Sequence, residues 1–544
     1  MSSTQVPGTL WQPNAVWPAP GYQPAATLPP KVKKTYPVDK ADVVLALAVV
    51  LLGYCWWHWI MPRSAATADY DSAGMFLPGL AVTLLFVMAV ACSVVYFIVK
   101  KVRLTLGGIA GAALVVLGAL PYAIYDTTPL HLIAGPVLVA GYITWHAYAA
   151  HTAVSPVLGG MTTADMVNQG LVVPTRNAGS WLAVWRSMTG KRKQAGQAAV
   201  ALVGVLVGLP VIVCVVALLM SSDTRFKSWM TGLGRSFGGF NLWSFLWQFG
   251  LGLVVAMYLF ALMYGNAHRL GVDTITPARV ATWSASMHKV TVTAVVAPIA
   301  ILCLAYVVFF AAMGSYVFSA FAGTLPPDFT YAQYARQGFF ELTAVATINL
   351  AVIGFTYAFV RRHDGAYPVS LRVAGGTLAG LTLLLIATAV SKMVLYIGRS
   401  GLTQLRLYTL SFMVVMFVVF ALLCVWHIRR FRVGTPVALV VLLAFLGLTW
   451  ANTDGMIAGY DTQRYLDGRL TNIDVAYLAN LSAAAVPSLV ELESQAGDAA
   501  VRQEAANALA DWASGDVAVN PLVRQPWTSW TWQSGRAVRL LEDR

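Results

Sequence analysis

Charge is what this chain has least of. Only 11% of its 544 residues are Asp, Glu, Lys or Arg, against about a quarter in an ordinary soluble protein. That scarcity excludes a chain wetted on all sides. Acids are fewest where the chain is most apolar: Asp126, Asp223, Asp328 and Glu341 near one set of apolar ends, Asp165, Asp273 and Asp364 near the other. No HExxH, paired-carboxylate or Gly-x-Ser-x-Gly pattern occurs, so the common hydrolase and zinc-protease chemistries find no support. The five cysteines, Cys55, Cys92, Cys214, Cys303 and Cys424, all fall inside apolar stretches. None forms a CxxC pair, which removes the basis for a disulfide framework or a metal cluster and leaves small packing residues. The eight histidines are scattered near the ends of apolar runs; anchoring at an interface accounts for them, and no metal or cofactor is expected. The run GKRKQAG at 190–196 lacks the Ser or Thr that a phosphate-binding loop places after its lysine.

Also missing is period-2 alternation, which excludes a membrane barrel. In its place stand about eleven continuous apolar runs, each near the roughly 20 residues that cover a hydrocarbon core as a helix. They fall at 43–60, 76–99, 106–125, 130–148, 198–220, 242–264, 290–313, 339–359, 373–397, 408–426 and 433–450. The last is the shortest. The expected class is therefore all-α: a polytopic transmembrane helix bundle of about 11 spans, followed by a small helical C-terminal extracytoplasmic domain.

The net charge of +13 invites a nucleic-acid reading, but the bases alternate with the spans. Lys31, Lys33, Lys34 and Lys40 precede the first run; Lys100, Lys101 and Arg103 follow the second. Arg176, Arg186 and Lys191–Lys193, then Arg269, Arg279 and Lys289, then Arg361, Arg362 and Arg372, then Arg429, Arg430 and Arg432 follow every second run thereafter. By the positive-inside rule that side is cytoplasmic, which puts the N-terminus inside and the C-terminus outside. Membrane lipids are the expected partners of the basic side, and no nucleic acid is expected.

Three parts follow: a Pro-rich cytoplasmic tail at 1–40 without the order of a signal peptide, a membrane region at 41–451, and a soluble helical segment at 452–544. In the last, acids outnumber bases 12 to 7. Asp474 and Ser482 sit where N-caps would fall, and Pro487 suits a first turn. Residues 485–493 and 498–512 resemble one HEAT-like helix pair, which cannot bury its own face. It must dock, with Leu489, Val490, Leu509 and Trp512 buried. Residues 452–461 read as a short linker. Trp527, Trp530 and Trp532 fill the small core of this segment or sit in the interface belt, and the core is the expectation.

The stretches LPPDFTYAQYARQGFFEL at 325–342, SKMVLYIGRSGLTQLRLY at 391–408 and YLANLSAAAVPSLVEL at 477–492 together resemble an uncharacterised bacterial membrane family, domain of unknown function 4153/4173. The resemblance spans about residues 40–540. It implies a bacterial plasma-membrane setting and a polytopic fold, and it brings no activity and no site residues.

One charge constellation stands out: Arg336, Glu341, Lys392, Arg399 and Arg406, all in two of those stretches. A charge at bilayer depth costs about 2.5–3.5 kcal/mol on insertion scales. An ion pair of Glu341 with Lys392 or an Arg of the outer loop is therefore expected, holding two spans and that loop together; a site for an anionic headgroup or substrate on the outer leaflet, or proton coupling through Glu341, is the functional alternative. The overall expectation is a non-enzymatic envelope or signalling component whose outer domain binds a protein partner. A transporter or lipid exporter is the alternative.

Overall fold

The computed structural model describes residues 36–60, 79–126, 128–155, 158–159, 161–189, 242–318, 339–362, 367–514 and 527–543, with isolated positions at 215–228 and 321. Among these residues the chain is helical, apart from one isolated bridge between Val290 and Val360. The membrane-length helices are α1 (Lys40–Ile60), α2 (Gly79–Val99), α3 (Leu106–Ile124) and α4 (Thr128–Ala149). Short helices α5 (Thr162–Val167), α6 (Val173–Asn177) and α7 (Ser180–Thr189) follow, with a π-helical turn at Asn168–Val172 between the first two. Then come α8 (Leu242–Ala267), the short α9 (Pro277–Met287), α10 (Val292–Phe318), α11 (Phe339–Phe359), α12 (Val369–Ser400) and α13 (Gln404–Ile428). The C-terminal part is α14 (Gly434–Trp450), α15 (Thr453–Leu466), α16 (Val475–Ala479), α17 (Val486–Gln495), α18 (Ala499–Ser514) and α19 (Trp532–Glu542).

Nine of the described helices are long and apolar enough to cross a membrane, and α14 with α15 would make a tenth if that pair, bent by 64°, counts as one span. The run expected to cross at 198–220 lies almost wholly outside the described residues, as does the basic stretch at 190–196.

Two packing devices hold the bundle. The first is close approach. Gly53 of α1 and Gly252 of α8 meet backbone to backbone, so a Cβ on either would fall on the other's carbonyl. Small residues allow such crossings where lipid tails compete equally for apolar side chains. Gly111 of α3 lies against the Trp145 ring of α4 in the same way. Of the α12 glycines, Gly375 and Gly376 make room for His427, whereas nothing lies near Gly380.

The second device is a buried ion pair that the sequence reading passed over. Asp42, in the first turn of α1, is fully buried. Its Oδ1 lies 2.7 Å from Lys100 Nζ, 2.7 Å from the Tyr96 hydroxyl that donates to it, and 3.2 Å from His268 Nε2. Asp39 adds a second carboxylate at 2.8 Å from Lys100 and receives the Ala41 and Asp42 N–H groups as the cap of α1. The start of α1 and the ends of α2 and α8 are thus tied on one face, called here the basic face. Removing one partner of such a pair costs about 3–5 kcal/mol.

From Val38 onward the described residues form one compact unit. One apolar core runs from Ile299 and Leu378 among the spans, through Met413, to Leu478, Leu489, Leu509 and Trp512 in the C-terminal helices. Leu489, Leu509 and Trp512 are buried and Val490 is half-buried. Asp474 caps α16 by accepting from Tyr477 N–H. Ser482 makes no side-chain cap, because a 3-10 turn at Ala483–Ala485 precedes α17; Pro487 does stand in the first turn.

Two expectations are corrected. Residues 452–461 are no linker, because α15 starts at Thr453. The tryptophans fill no core: Trp527, Trp530 and Trp532 are 54%, 43% and 51% exposed. Trp527 meets Trp59 at the end of α1 edge-on at 5.3 Å, and the Trp530 carbonyl accepts from Leu80 N–H at the start of α2. Rings placed at span ends match the aromatic belt of a membrane interface.

Because Leu489 is fully buried between the C-terminal helices, Leu489→Asp is expected to destabilise this region by at least about 3 kcal/mol. Limited proteolysis in membranes is the check. The variant should be cut in α17 and α18 while the wild type resists. Rapid release of an intact C-terminal fragment from the wild type, with the same kinetics in the variant, would contradict this packing.

Candidate functional site

The face opposite the basic one carries a set of buried polar side chains, Thr453, Asp454, Asp461 and Thr462 among them, and α15 organises it. Its sequence TDGMIAGYDTQRYL places Asp454, Ile457, Ala458 and Asp461 at helical spacing on one face. All four are buried. Asn452 starts the helix from a left-handed conformation, φ 46°, and its side chain caps Gly455 N–H. That face lies on the turn between α12 and α13.

Three contacts make a clamp there. Asp461 Oδ1 accepts the Leu402 N–H at 2.7 Å. Arg464 Nη2 donates to the Gly398 carbonyl at 2.6 Å. Asp454 Oδ1 accepts from Gln404 Nε2 at 2.7 Å, while its Oδ2 accepts Ser482 N–H at 3.2 Å. Tyr477 from α16 joins them, its hydroxyl accepting Gln404 N–H at 2.8 Å. Gly401 makes the turn possible. Its φ of +76° favours glycine, and a Cβ there would sit 2.9 Å from the Asp461 carboxylate.

Asp126, between α3 and α4, completes the site from the other half of the bundle. Its N–H donates to Gln533 Oε1 at 3.3 Å, and Gln533 Nε2 donates to Asn452 Oδ1 at 3.0 Å. Among the described residues its carboxylate accepts no hydrogen bond. Burial, with a smaller contribution from the neighbouring Asp454 charge, pushes its pKa up to about 6. Burial likewise raises Asp461 to about 6 against the opposing pull of the Leu402 N–H, Arg406 and Arg464. Asp454 is raised by burial too.

The residues singled out from sequence are dispersed. Arg406 belongs to the clamped turn: it donates to the Ser400 and Gly401 carbonyls and to the Tyr396 hydroxyl, and stacks over that ring at 4.1 Å. Lys392 is buried inside α12, at 3% exposure. Arg399 is exposed near the end of α12. Glu341 is exposed in the first turn of α11, a position the helix dipole favours. Among the described residues no ion pair within 4.0 Å joins Glu341 to Lys392, Arg399 or Arg406, so the expected Glu341–Lys392 bridge is not formed. Arg336 lies outside the described residues.

The carboxylates that do meet the turn, Asp454 and Asp461, escaped the sequence reading because Gly, Asn and Asp around them resembled a linker. Their signal was two acids seven residues apart on the apolar stripe of a helix. Chemically the arrangement is a set of acceptors for backbone and amide N–H groups. No group of three or more His, Cys, Asp or Glu side chains is placed to hold a metal ion among the described residues.

The pH consequence has a definite sign. A carboxyl whose folded pKa is raised binds its proton more tightly when folded, so stability falls as pH rises from the unfolded value, near 3.8, to about 6. The cost is complete above that window. In detergent, Asp126→Asn should raise the melting temperature at pH 7 and flatten the decline between pH 4 and 6. A wild type that gains stability over that window relative to the variant would contradict the assignment.

A family model described as Domain of unknown function (DUF4153) matches residues 86–492. The match takes in both halves of the bundle, the clamped turn and α15. No curated protein matches the chain, and no solved structure does.

Proposed function

The chain belongs to the family of the domain of unknown function DUF4153, and since that family brings no activity with it, we propose a function from the geometry. The protein is an integral, multi-pass membrane protein with many apolar helices. We read it as a non-enzymatic component of a bacterial plasma membrane. The basic face is cytoplasmic by the positive-inside rule, and the clamped turn and C-terminal helices are extracytoplasmic. There the C-terminal helices bind a protein partner and pass the effect of binding to the spans.

One observation carries this reading. Asp454, Asp461 and Arg464 of α15 hold the α12–α13 turn through its own backbone and Gln404. The most buried acids on this face are thus engaged in joining C-terminal helices to two spans, the arrangement a coupling element needs. The outward face of α18, with Gln503, Glu504 and Asn507 exposed, is the surface offered to the partner.

The alternative, a transporter or lipid exporter, would draw on polar groups inside the spans. Among the described residues such sets include Ser93, Tyr142 and His146, His58 with Gln248, and Tyr306, Asn349 and Thr382. Each set is closed on itself by hydrogen bonds, which favours helix packing over a polar path.

A photo-crosslinker at Glu504 in intact cells, combined with an impermeant thiol reagent on single cysteines at 195 and 500, tests the proposal. The expected result is one discrete protein adduct, weakened in Asn507→Arg, with position 500 labelled only from outside and position 195 only from the cytoplasm. Labelling of both on one side, or lipid adducts alone together with solute flux in proteoliposomes, would favour the alternative.

A further inference from the structure

The basic face of the second half of the bundle holds a site of a different kind. Where α11, α12 and α13 reach that face, Arg361, Arg362, Arg372, Arg429, Arg430 and Arg432 gather. No Asp or Glu stands with them among the described residues. Arg372 is half-buried, fixed by donating from Nε and Nη2 to the His427 carbonyl at 3.3 and 2.8 Å and from Nη2 to the Ile428 carbonyl at 3.2 Å. It thereby caps the last carbonyls of α13, and its Nη1 makes no hydrogen bond among the described residues. Arg430 and Arg362 are positioned by Tyr367, 5.4 and 4.9 Å over its ring.

Beside Arg372 a cleft of about 470 Å³ opens between α12 and α13. Its walls include Val369, Val373, Thr377, Cys424 and Ile428. Val369, Val373 and Ile428 are 70%, 62% and 76% exposed on the outer surface of two spans, a surface that water would disfavour and an acyl chain would cover. The first N–H groups of α12 point toward the same end without a side-chain cap, because Pro368 occupies the N-cap.

The geometry points to a binding site for one anionic phospholipid. Its acyl chain lies along the cleft between α12 and α13, and its phosphate is held at Arg372 with Arg430 beside it. An apolar wall ending in a fixed guanidinium selects a lipid over a free anion. The six arginines of 361–372 and 429–432 face a single acid in those stretches of sequence, Asp364, and that surplus selects an anionic headgroup over a zwitterionic one. This site stands on the face opposite the α15 clamp and does not depend on the function proposed above.

Native mass spectrometry of the purified full chain with equal amounts of phosphatidylglycerol and phosphatidylcholine tests it. Phosphatidylglycerol should be retained about tenfold or more over phosphatidylcholine, the scale expected from two arginines at a headgroup. Thr377→Trp, which fills the cleft, and Arg430→Gln, which removes an exposed charge, should each cut that retention several-fold with unchanged melting temperature. Neither variant touches the Arg372 cap, so folding is preserved; the wild-type lipid comparison stands alone if one fails. Equal retention of both lipids, full retention in both folded variants, or displacement by inorganic phosphate would overturn the assignment, the last in favour of a free-anion site.

Discussion

The hydrogen bond from Leu402 N–H to the Asp461 carboxylate is the contact on which the far face of this protein depends. It forms at a turn between two long spans, where Gly401 leaves no side chain to keep the carboxylate away. A hydrogen bond to a charged group contributes about 1.5–3 kcal/mol, and leaving its buried partner unpaired costs about as much again. Asp461 therefore cannot leave the turn cheaply, and the turn cannot open without exposing an unpaired carboxyl. Arg464 and Asp454 repeat the constraint on either side of it. Through α15 the turn is joined to the apolar core of α16, α17 and α18.

The basic face is built by the same physics, again around a buried acid. There Asp42 is paired with the Lys100 ammonium and lies within hydrogen-bond distance of the Tyr96 hydroxyl and the His268 ring. The two faces differ in what remains unspent. Asp42 is surrounded by donors, whereas the arginines around Arg372 have no acid beside them among the described residues. An excess of one sign at the rim of an apolar cleft is an invitation to an opposite charge that brings its own apolar tail.

Much of the architecture was legible in the sequence, because a membrane admits only helices of about 20 apolar residues. Nearly every expected run coincides with a helix, and α12 and α13 begin and end within a few residues of their runs. The burial of Leu489, Leu509 and Trp512 was legible from helical spacing. Polar contacts were not. Glu341 and Lys392 looked paired because both lie near span ends, but proximity along the bilayer normal says nothing about which helices are neighbours. Asp42 hid at the edge of the first run, and Asp454 and Asp461 hid in a stretch whose Gly and Asp content suggested a linker. The tryptophans near the end read as core in preference to interface, and the placement of Trp59 and Leu80 reverses that preference.

Hydrogen exchange on the membrane-reconstituted chain tests the central claim most directly, since it reads the protection of individual backbone amides. If α15 and the α12–α13 turn are one cooperative unit, amides of 398–407 and 453–466 exchange at a common rate, and Asp461→Ala releases both together. Fast exchange in 453–466 beside a turn that stays protected in both wild type and variant would show that the clamp does not hold the turn.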